Sequence, residues 1–174
     1  MVDGTASRAL PLASLEDTRR LAAAVAAAMP AGSMLLLSGP LGAGKTTFTR
    51  FLAAALGSSA AVSSPSYTLV HEYPTPHGPL VHIDAYRLDD AASELNDLGL
   101  DEYLDNSRLV VVEWGEALEN SYREAGWLEF AFDLPTAAAD DLTTAEELPS
   151  GRVARWRRRP GTAGPAAADS GDEP

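Results

Sequence analysis

The sequence predicts an α/β fold with a mostly parallel central sheet, and two apolar runs and a glycine-rich loop carry that prediction. Residues Ser33–Ser38 (SMLLLS) and Leu109–Glu113 (LVVVE) are nearly continuous in apolar residues, as is typical of parallel strands buried on both faces. The glycine-rich loop Gly39–Gly44 and a helix-forming segment over Lys45–Leu56 follow the first run. Strand, loop and helix in this succession are characteristic of an open α/β sheet.

The composition is that of a globular chain with a core of its own. The chain has 174 residues, of which 45% are hydrophobic and 22% charged, so one domain is expected. It contains no cysteine, which excludes disulfides and cysteine-ligated metal sites. The formal net charge of -12 argues against direct binding of nucleic acid, because phosphate backbones require a basic face.

Two features bear on membranes and export. The longest apolar run, Leu21–Met29, is shorter than the roughly 20 residues that a membrane-spanning helix needs. Arg19 and Arg20 precede that run and are similar to a twin-arginine export signal. We interpret the segment as an amphipathic helix that Ser14 and Asp17 cap, and we expect a cytoplasmic protein without membrane contact.

Periodicity, helix propensity and turn residues divide the chain into short elements. The elements predicted in chain order are an edge strand over Arg8–Leu12, a helix over Leu15–Met29, a strand over Ser33–Ser38, a helix over Lys45–Leu56, strands over Tyr67–Tyr73 and Pro79–Asp84, one or two short helices within Asp89–Asp105, a strand over Leu109–Glu113, and strands over Trp127–Leu134 and Arg152–Arg157. The last two strands are predicted to pair as an antiparallel C-terminal edge.

The predicted domain covers residues 1–158. The segment Ala137–Ser150 is polar and poor in aromatic residues, so we expect a mobile loop there. Residues 159–174 consist mainly of glycine, proline, alanine and acidic residues, a composition that cannot bury enough apolar surface to fold. We therefore expect a disordered tail.

The loop Gly39–Thr46 (GPLGAGKT) fits the pattern G-x-x-x-x-G-K-[ST] of a Walker A phosphate loop. Glycines let the backbone wrap around a polyphosphate and point its N–H groups inward, and the helix that follows adds the positive end of its dipole. The residues expected to bind the nucleotide phosphates are Gly39, Leu41, Gly42, Ala43, Gly44, Lys45, Thr46 and Thr47. The Thr46 hydroxyl is a hard oxygen ligand that suits Mg²⁺.

Lys45 is the one lysine among the 13 basic residues of the chain. It stands where the motif requires a compact ammonium group to reach the β- and γ-phosphates. Arginine is a poor substitute there, because its guanidinium is planar and bulkier. The position therefore strengthens the prediction of nucleotide binding.

Two predicted buried strands end in an acidic residue, Asp84 in the first and Glu113 in the second. Ligands of open α/β sheets bind at the carboxyl ends of the strands, and a phosphate-loop enzyme needs a carboxylate beside the metal and a group that positions water. Spacing leaves open which of the two carboxylates approaches Mg²⁺.

Further candidates lie beside these carboxylates. Trp114 follows the second strand directly and could stack on an adenine ring or pack in the core. Ser66 and Thr68 form a hydroxyl-rich segment of the kind that senses a γ-phosphate in phosphate-loop enzymes. His82 is interpreted as a structural histidine near the site, and Arg87 as a phosphate ligand or a partner of the acidic residues that follow.

Five segments in this order resemble the TsaE (YjeE) family over roughly residues 12–134. They are residues 39–48 (GPLGAGKTTF), 64–70 (SPSYTLV), 82–88 (HIDAYRL), 98–104 (LGLDEYL) and 111–114 (VVEW). The resemblance implies a three-layer P-loop NTPase fold that binds ATP with Mg²⁺ and hydrolyses ATP slowly alone. It further implies a bacterial machinery that adds threonylcarbamoyl to the adenosine beside the tRNA anticodon, with TsaB and TsaD as partners and tRNA met only through that complex.

The resemblance also implies roles for individual residues. Glu113 is the carboxylate on the metal side together with Thr46, Trp114 contacts the base, Asp84 lies at the catalytic centre, and Ser66 belongs to a switch-like catalytic loop. Two positions depart from the family pattern. Pro40 stands where the family usually has aspartate, and Ser66 stands where threonine is common, although the hydroxyl is kept.

Two other functions fit a phosphate loop. A small-molecule kinase normally has an arginine-rich lid, whereas Asp89–Asp105 is acidic and contains no arginine. A nucleotide-gated binding module would need no turnover. A kinase would leave a phosphorylated metabolite, whereas an ATPase would release free phosphate. A variant such as Glu113→Ala that binds ATP but fails to support tRNA modification would indicate an enzyme, and full modification by it would indicate a binding module.

Overall fold

The computed structural model describes residues 8–118, 127–133 and 152–159. Their elements in chain order are β1 (Arg8–Leu12), α1 (Leu15–Ala28), β2 (Ser33–Ser38), α2 (Lys45–Ala55), β3 (Val70–Tyr73), β4 (Leu80–Asp84), α3 (Ala91–Asp97), α4 (Leu100–Asn106), β5 (Leu109–Glu113), a short 3-10 helix (Gly115–Leu118), β6 (Trp127–Asp133) and β7 (Arg152–Arg159). The predicted loop Ala137–Ser150 and residues 160–174 of the predicted tail lie outside the described residues. Arg159, which the prediction placed in the disordered tail, is instead the last residue of β7, where it pairs with Trp127 of β6.

The seven described strands form one sheet in the order β1-β7-β6-β2-β5-β4-β3. The four central strands β6, β2, β5 and β4 are parallel, and β7 runs antiparallel to β6. The prediction of a mostly parallel sheet with an antiparallel C-terminal part is confirmed. The strand expected near Arg8–Leu12 pairs antiparallel with β7 and forms one edge, and β3 forms the other, antiparallel to β4.

Helices cover both faces of the sheet and give three layers. On one face, Leu21 and Val25 of α1 and Phe48 and Leu52 of α2 pack in one buried cluster with residues such as Leu35 of β2. On the other face, α3 and α4 pack against the alternate residues of the same strands. This alternation follows from the strand geometry, which points successive side chains to opposite faces.

The core beside the phosphate loop is aromatic. The ring of Phe48 on α2 lies 5.4 Å from that of Phe130 and 5.5 Å from that of Phe132, both on β6. Burying a side chain of this size contributes about 1.5–3 kcal/mol. The contacts anchor α2, and with it the loop that precedes α2, to the sheet.

The structure refines two boundaries. β3 begins at Val70 rather than near Tyr67, because Leu69 adopts a positive φ of 67° and its N–H donates to the Pro65 carbonyl at 2.6 Å. The acidic segment after Asp89 forms two short helices that Gly99 separates. Within the described part of the chain, no helix is long and apolar enough to cross a membrane, and Arg19 and Arg20 lie on α1.

Candidate functional site

Strand register brings the two predicted carboxylates together. Asp84 pairs with Glu113 across β4 and β5, and Glu113 pairs with Leu37 across β5 and β2. All three residues lie at the carboxyl ends of their strands, where β2 leads into the phosphate loop. The order of strands therefore places both acidic residues beside the loop, as expected for an α/β sheet.

The phosphate loop ends in a helix that has no side-chain cap. Gly44 is the N-cap of α2, has φ 104°, and provides no side-chain hydrogen bond to the first turn. Gly39 also has a positive φ, at 123°, a conformation that glycine adopts without strain. Gly44 thus offers no side-chain acceptor to the first turn of α2, and at a helix start of this kind a bound phosphate is a common acceptor.

Lys45 is buried at the start of α2 and lies across the loop. Its Nζ donates to the carbonyl of Gly39 at 2.7 Å and to that of Pro40 at 3.0 Å. The same Nζ lies 4.0 Å from the centroid of the Trp114 ring, within the range of a cation–π contact. The ammonium is thus held over the loop, at the position from which the motif binds phosphate.

One carboxylate oxygen of Glu113 contacts both Thr46 and His82. The Thr46 hydroxyl donates to Glu113 Oε1 at 2.8 Å, and His82 Nε2 lies 2.9 Å from the same oxygen. Because a carboxylate oxygen accepts hydrogen bonds, Nε2 is the ring nitrogen that donates in this contact. His82 is fully buried, and it orients Glu113 toward Thr46, in agreement with its predicted structural role.

Asp84 is held by residues 63–69 (SSPSYTL), the serine-rich loop before β3. Its Oδ2 accepts hydrogen bonds from Ser64 Oγ at 2.9 Å and from Ser66 Oγ at 2.6 Å. Its Oδ1 accepts from the backbone N–H of Tyr86 at 3.1 Å. The structure therefore brings Ser66 into the site and adds Ser64, which the sequence analysis did not single out although it lies two residues away.

Two other candidates are not brought into the site. The hydroxyl of Thr68 donates to the Pro65 carbonyl at 3.4 Å and so takes part in the local turn. The guanidinium of Arg87 lies over the ring of Tyr67, 4.9 Å from its centroid. Neither residue lines the cavity beside the phosphate loop.

The ring of Tyr73 packs beside the imidazole of His82. The ring of Tyr73 lies 6.2 Å from that of His82, and its hydroxyl donates to the Ser63 carbonyl at 2.9 Å. Burial raises the pKa of Tyr73 above its ordinary value, so the hydroxyl keeps its proton and remains a donor. Tyr73 thus ties the serine-rich loop to β3 beside the buried imidazole.

Trp114 has an unusual backbone. Its φ is 60°, rare for a residue other than glycine, and its N–H donates to the Leu37 carbonyl at 2.8 Å. Its ring lies 5.0 Å from that of Tyr86. Sequence analysis missed Tyr86 as a site residue, although its position after Asp84 places it at the same strand end.

These groups surround a cavity of about 380 Å³. Its lining residues are Leu41, Gly42, Gly44, Lys45, Thr46, Thr47, Ser64, Ser66, Asp84, Tyr86, Glu113 and Trp114. Two predicted loop residues shape the loop without lining the cavity. The Gly39 carbonyl accepts from Lys45, and Ala43, which is buried, donates its N–H to the Pro40 carbonyl at 3.2 Å.

The donor set fits a nucleotide-bound Mg²⁺. Among the described residues, no group of three or more His, Cys, Asp or Glu side chains could hold a metal by itself. Mg²⁺ in phosphate-transfer sites takes one or two protein oxygens together with phosphate oxygens and water. The Thr46 hydroxyl and the Glu113 carboxylate supply such a pair.

Comparisons with known proteins identify the family of this chain. A sequence profile of the family described as "Threonylcarbamoyl adenosine biosynthesis protein TsaE" matches residues 12–139. The chain is 44% identical over 104 residues to the tRNA threonylcarbamoyladenosine biosynthesis protein TsaE of Bacillus subtilis, covering 60% of this chain and 64% of that protein. It is 47% identical over 100 residues to the protein of that name from Streptomyces coelicolor, covering 56% of this chain and 67% of the relative.

A solved structure supports the fold. The crystal structure of YdiB from Bacillus subtilis matches with a TM-score of 0.66 and 29% sequence identity, covering 89% of this chain and 87% of that one. The alignment with the Bacillus subtilis sequence relative spans less than two thirds of that relative's length.

Proposed function

Since the chain belongs to the TsaE family, we propose that it is a P-loop ATPase that supports the synthesis of threonylcarbamoyladenosine in tRNA. The observation that carries the ATPase part is the 2.8 Å hydrogen bond between Thr46 Oγ1 and Glu113 Oε1 beside Lys45. It joins a hydroxyl from the uncapped first turn of α2 to a carboxylate from the end of β5. Oxygen ligands and an ammonium group together are what MgATP requires.

Binding and orientation come first in the proposed mechanism. The N–H groups of the phosphate loop and the start of α2 hold the β- and γ-phosphates, and the Lys45 ammonium exchanges carbonyl partners for phosphate oxygens. Thr46 and Glu113 would hold Mg²⁺, which neutralises charge on the phosphate oxygens when bound. His82 keeps the Glu113 carboxylate turned toward Thr46.

Asp84 is proposed to orient the attacking water. The oxygen of that water bonds to the γ-phosphorus as the bond from phosphorus to the ADP oxygen breaks. Asp84 accepts a hydrogen bond from the water, and the protons of the water leave with the inorganic phosphate or pass to solvent. Ser66 donates to Asp84, so movement of its loop changes the orientation of that carboxylate. This link supports a switch-like role for the loop.

Trp114 and Tyr86 form the aromatic wall of the cavity. We propose that the nucleotide base contacts Trp114, because an indole face can stack on adenine. The tryptophan fluorescence of the protein should then change when ATP or ADP binds, and Trp114→Phe should lose most of that change, whereas Trp156→Phe should keep it.

The partners are proposed to be the TsaB and TsaD proteins, with tRNA met through them in the cytoplasm. The net charge of -12 supports this indirect contact, because a strongly acidic chain repels the tRNA backbone. ATP hydrolysis would then support repeated turnover of the TsaB–TsaD complex.

Reconstitution tests the proposal. The two partner proteins, bicarbonate, threonine, MgATP and tRNA are combined with the wild-type chain, Glu113→Gln or no chain, and both free phosphate and modified tRNA are measured. Glu102→Gln is the matched control, since it makes the same change at an exposed position on α4. We expect Glu113→Gln to bind nucleotide but to release phosphate and support modification poorly, and Glu102→Gln to resemble the wild type.

Two results would contradict the proposal. A phosphorylated metabolite in place of free phosphate would indicate a kinase. Full modification by a hydrolysis-deficient Glu113→Gln would indicate a nucleotide-gated binding module.

A further inference from the structure

Arg152 is a buried cation at the same end of the sheet as the phosphate loop. It is the first residue of β7 and has 1% of its surface exposed. Its neighbour Val153 pairs with Asp133, the last residue of the parallel strand β6. Arg152 therefore lies at the carboxyl edge of the parallel strands, although sequence analysis treated it only as part of a pairing strand.

The guanidinium of Arg152 has few partners for a buried charge. Its Nη2 donates to Thr18 Oγ1 of α1 at 3.2 Å, while Nε and Nη1 have no hydrogen-bond partner in the part of the chain that the structure describes. Burial lowers the pKa of Arg152, but an arginine side chain keeps its proton at neutral pH. A buried charge without a counter-charge is costly for a fold, so an anion nearby would stabilise it.

The neighbour of the unpartnered Nη1 is the phosphate loop itself. A Cβ built on Gly44 would lie 2.8 Å from Arg152 Nη1, so the guanidinium packs directly against the glycine that begins α2. The loop binds its polyphosphate through the N–H groups of this same turn. The buried guanidinium of Arg152 therefore lies against the turn whose N–H groups would bind the negatively charged phosphates.

We propose that Arg152 is a positioning residue of the nucleotide site, which supports the Gly44 turn from inside the protein and whose charge the bound polyphosphate balances. The inference rests on the proposed binding of ATP to the phosphate loop. Arg152 acts through the loop and the local electrostatic potential, without touching the nucleotide. The site then contains two cations, one over the loop at Lys45 and one beneath it.

Three variants and three nucleotides test this proposal. Arg152→Met removes the charge and keeps a long side chain, Arg152→Lys keeps the charge, and Arg108→Met is the matched control. Arg108 donates to the Ala26 carbonyl at 2.8 Å and has an unpartnered, buried Nη1, but it precedes β5 at the opposite end of the sheet. Dissociation constants for ATP, ADP and AMP are measured by calorimetry, and unfolding temperatures are measured without nucleotide.

The expected results scale with phosphate charge. Arg152→Met should bind ATP about tenfold more weakly than the wild type, since a nearby charge acts strongly in a poorly hydrated site. The loss should be smaller for ADP and smallest for AMP, and its unfolding temperature without nucleotide should equal or exceed that of the wild type. Arg152→Lys and Arg108→Met should bind ATP with nearly wild-type affinity.

Several outcomes would overturn the proposal while leaving the proposed function intact. These are unchanged ATP affinity in Arg152→Met, an equal loss for ATP, ADP and AMP, and an equal loss in Arg108→Met. If Arg152→Met does not fold, Arg152→Gln replaces it, and failure of both neutral variants to fold would show that the fold itself needs the charge. Failure of the wild-type protein to bind ATP would instead refute the proposed function.

Discussion

The two helices on one face of the sheet begin in opposite ways. Helix α1 starts at Ser14, whose Oγ accepts from the Asp17 N–H at 3.1 Å while Asp17 Oδ2 accepts from the Ser14 N–H at 2.9 Å. Helix α2 starts at Gly44, which has no side chain with which to cap it. The first helix therefore begins with a reciprocal side-chain cap, and the second begins without one.

Charge follows the same division. The first turn of α1 contains Glu16 and Asp17, which interact favourably with the positive end of the helix dipole. The first turn of α2 contains Lys45 and no acidic residue, an unfavourable arrangement for a bare helix start. The first turn of α1 therefore carries charges that favour the helix itself, whereas that of α2 carries a charge that would favour a bound anion, although the two helices share a core cluster.

Among the variants that test this difference between the two helix starts, Lys45→Ala should have the largest effect. We expect nucleotide affinity to fall by about a hundredfold or more, because the charge-assisted contact with the phosphates is lost. Without nucleotide the variant should unfold below the wild-type temperature, because the hydrogen bonds from Lys45 Nζ to the Gly39 and Pro40 carbonyls are lost and outweigh the gain from removing a cation at a helix start. Calorimetric titration with ADP and thermal unfolding measure both, with Arg50→Ala as the control, and unchanged affinity would refute the assignment of the site.

Asp84→Asn should have the next largest effect. Asp17→Asn makes the same change in the first turn of α1 and serves as its control. Loss of the water-orienting carboxylate should reduce the rate of phosphate release by about a hundredfold while ATP affinity stays near that of the wild type. Asp17→Asn should leave the rate unchanged and lower thermal stability slightly. Equal rates in Asp84→Asn and the wild type would exclude the proposed role.

Gly44→Ala should destabilise the protein by about 1–3 kcal/mol, because a non-glycine residue is strained at this backbone conformation. The φ of Gly44 is 104°, and the added Cβ would lie 2.8 Å from Arg152 Nη1. Chemical denaturation measures the change. Unaltered stability would mean that the start of α2 tolerates a side chain and is no more specialised than that of α1.

Ser14→Ala should have the smallest effect, a loss of about 1 kcal/mol typical of a helix cap, with ATP affinity unchanged. The hydrogen bond from Ser14 lowers the pKa of Asp17, so its contribution is present above the unfolded-state pKa of Asp17 and is lost as pH falls through the folded-state value. The stability difference between the variant and the wild type should therefore shrink in acid. A difference that is constant from neutral to strongly acidic pH would contradict this account.

Local signals predicted much of the fold and part of the site. The apolar runs gave β2 and β5 with their observed limits, and the glycine pattern identified the phosphate loop. The carboxylates Asp84 and Glu113 could be placed at strand ends, because parallel strands end on the same side of a sheet. The hydrogen bond between Thr46 and Glu113 then supports Glu113 for the metal side, a choice that spacing alone left open.

The remaining features depend on contacts between distant parts of the chain. Nothing around Arg152 in the sequence indicates that it packs beneath Gly44, because that contact requires β7 to lie beside β6 with α1 above it. The positive φ of Leu69 arises where the serine-rich loop turns onto Asp84, and leucine has no local preference for that conformation. Tyr86 could have been found, since it lies two residues after Asp84.

The order of the strands also limits how another chain can attach. Among the residues that the structure describes, each end of the sheet is a short strand, five residues in β1 and four in β3, and β1 contains Pro11, which lacks an N–H donor. Such edges give an incoming strand little backbone to pair with. We therefore expect partner proteins to recognise this molecule through side chains and loops, and we expect it to resist the edge-to-edge association that leads many exposed sheets to aggregate.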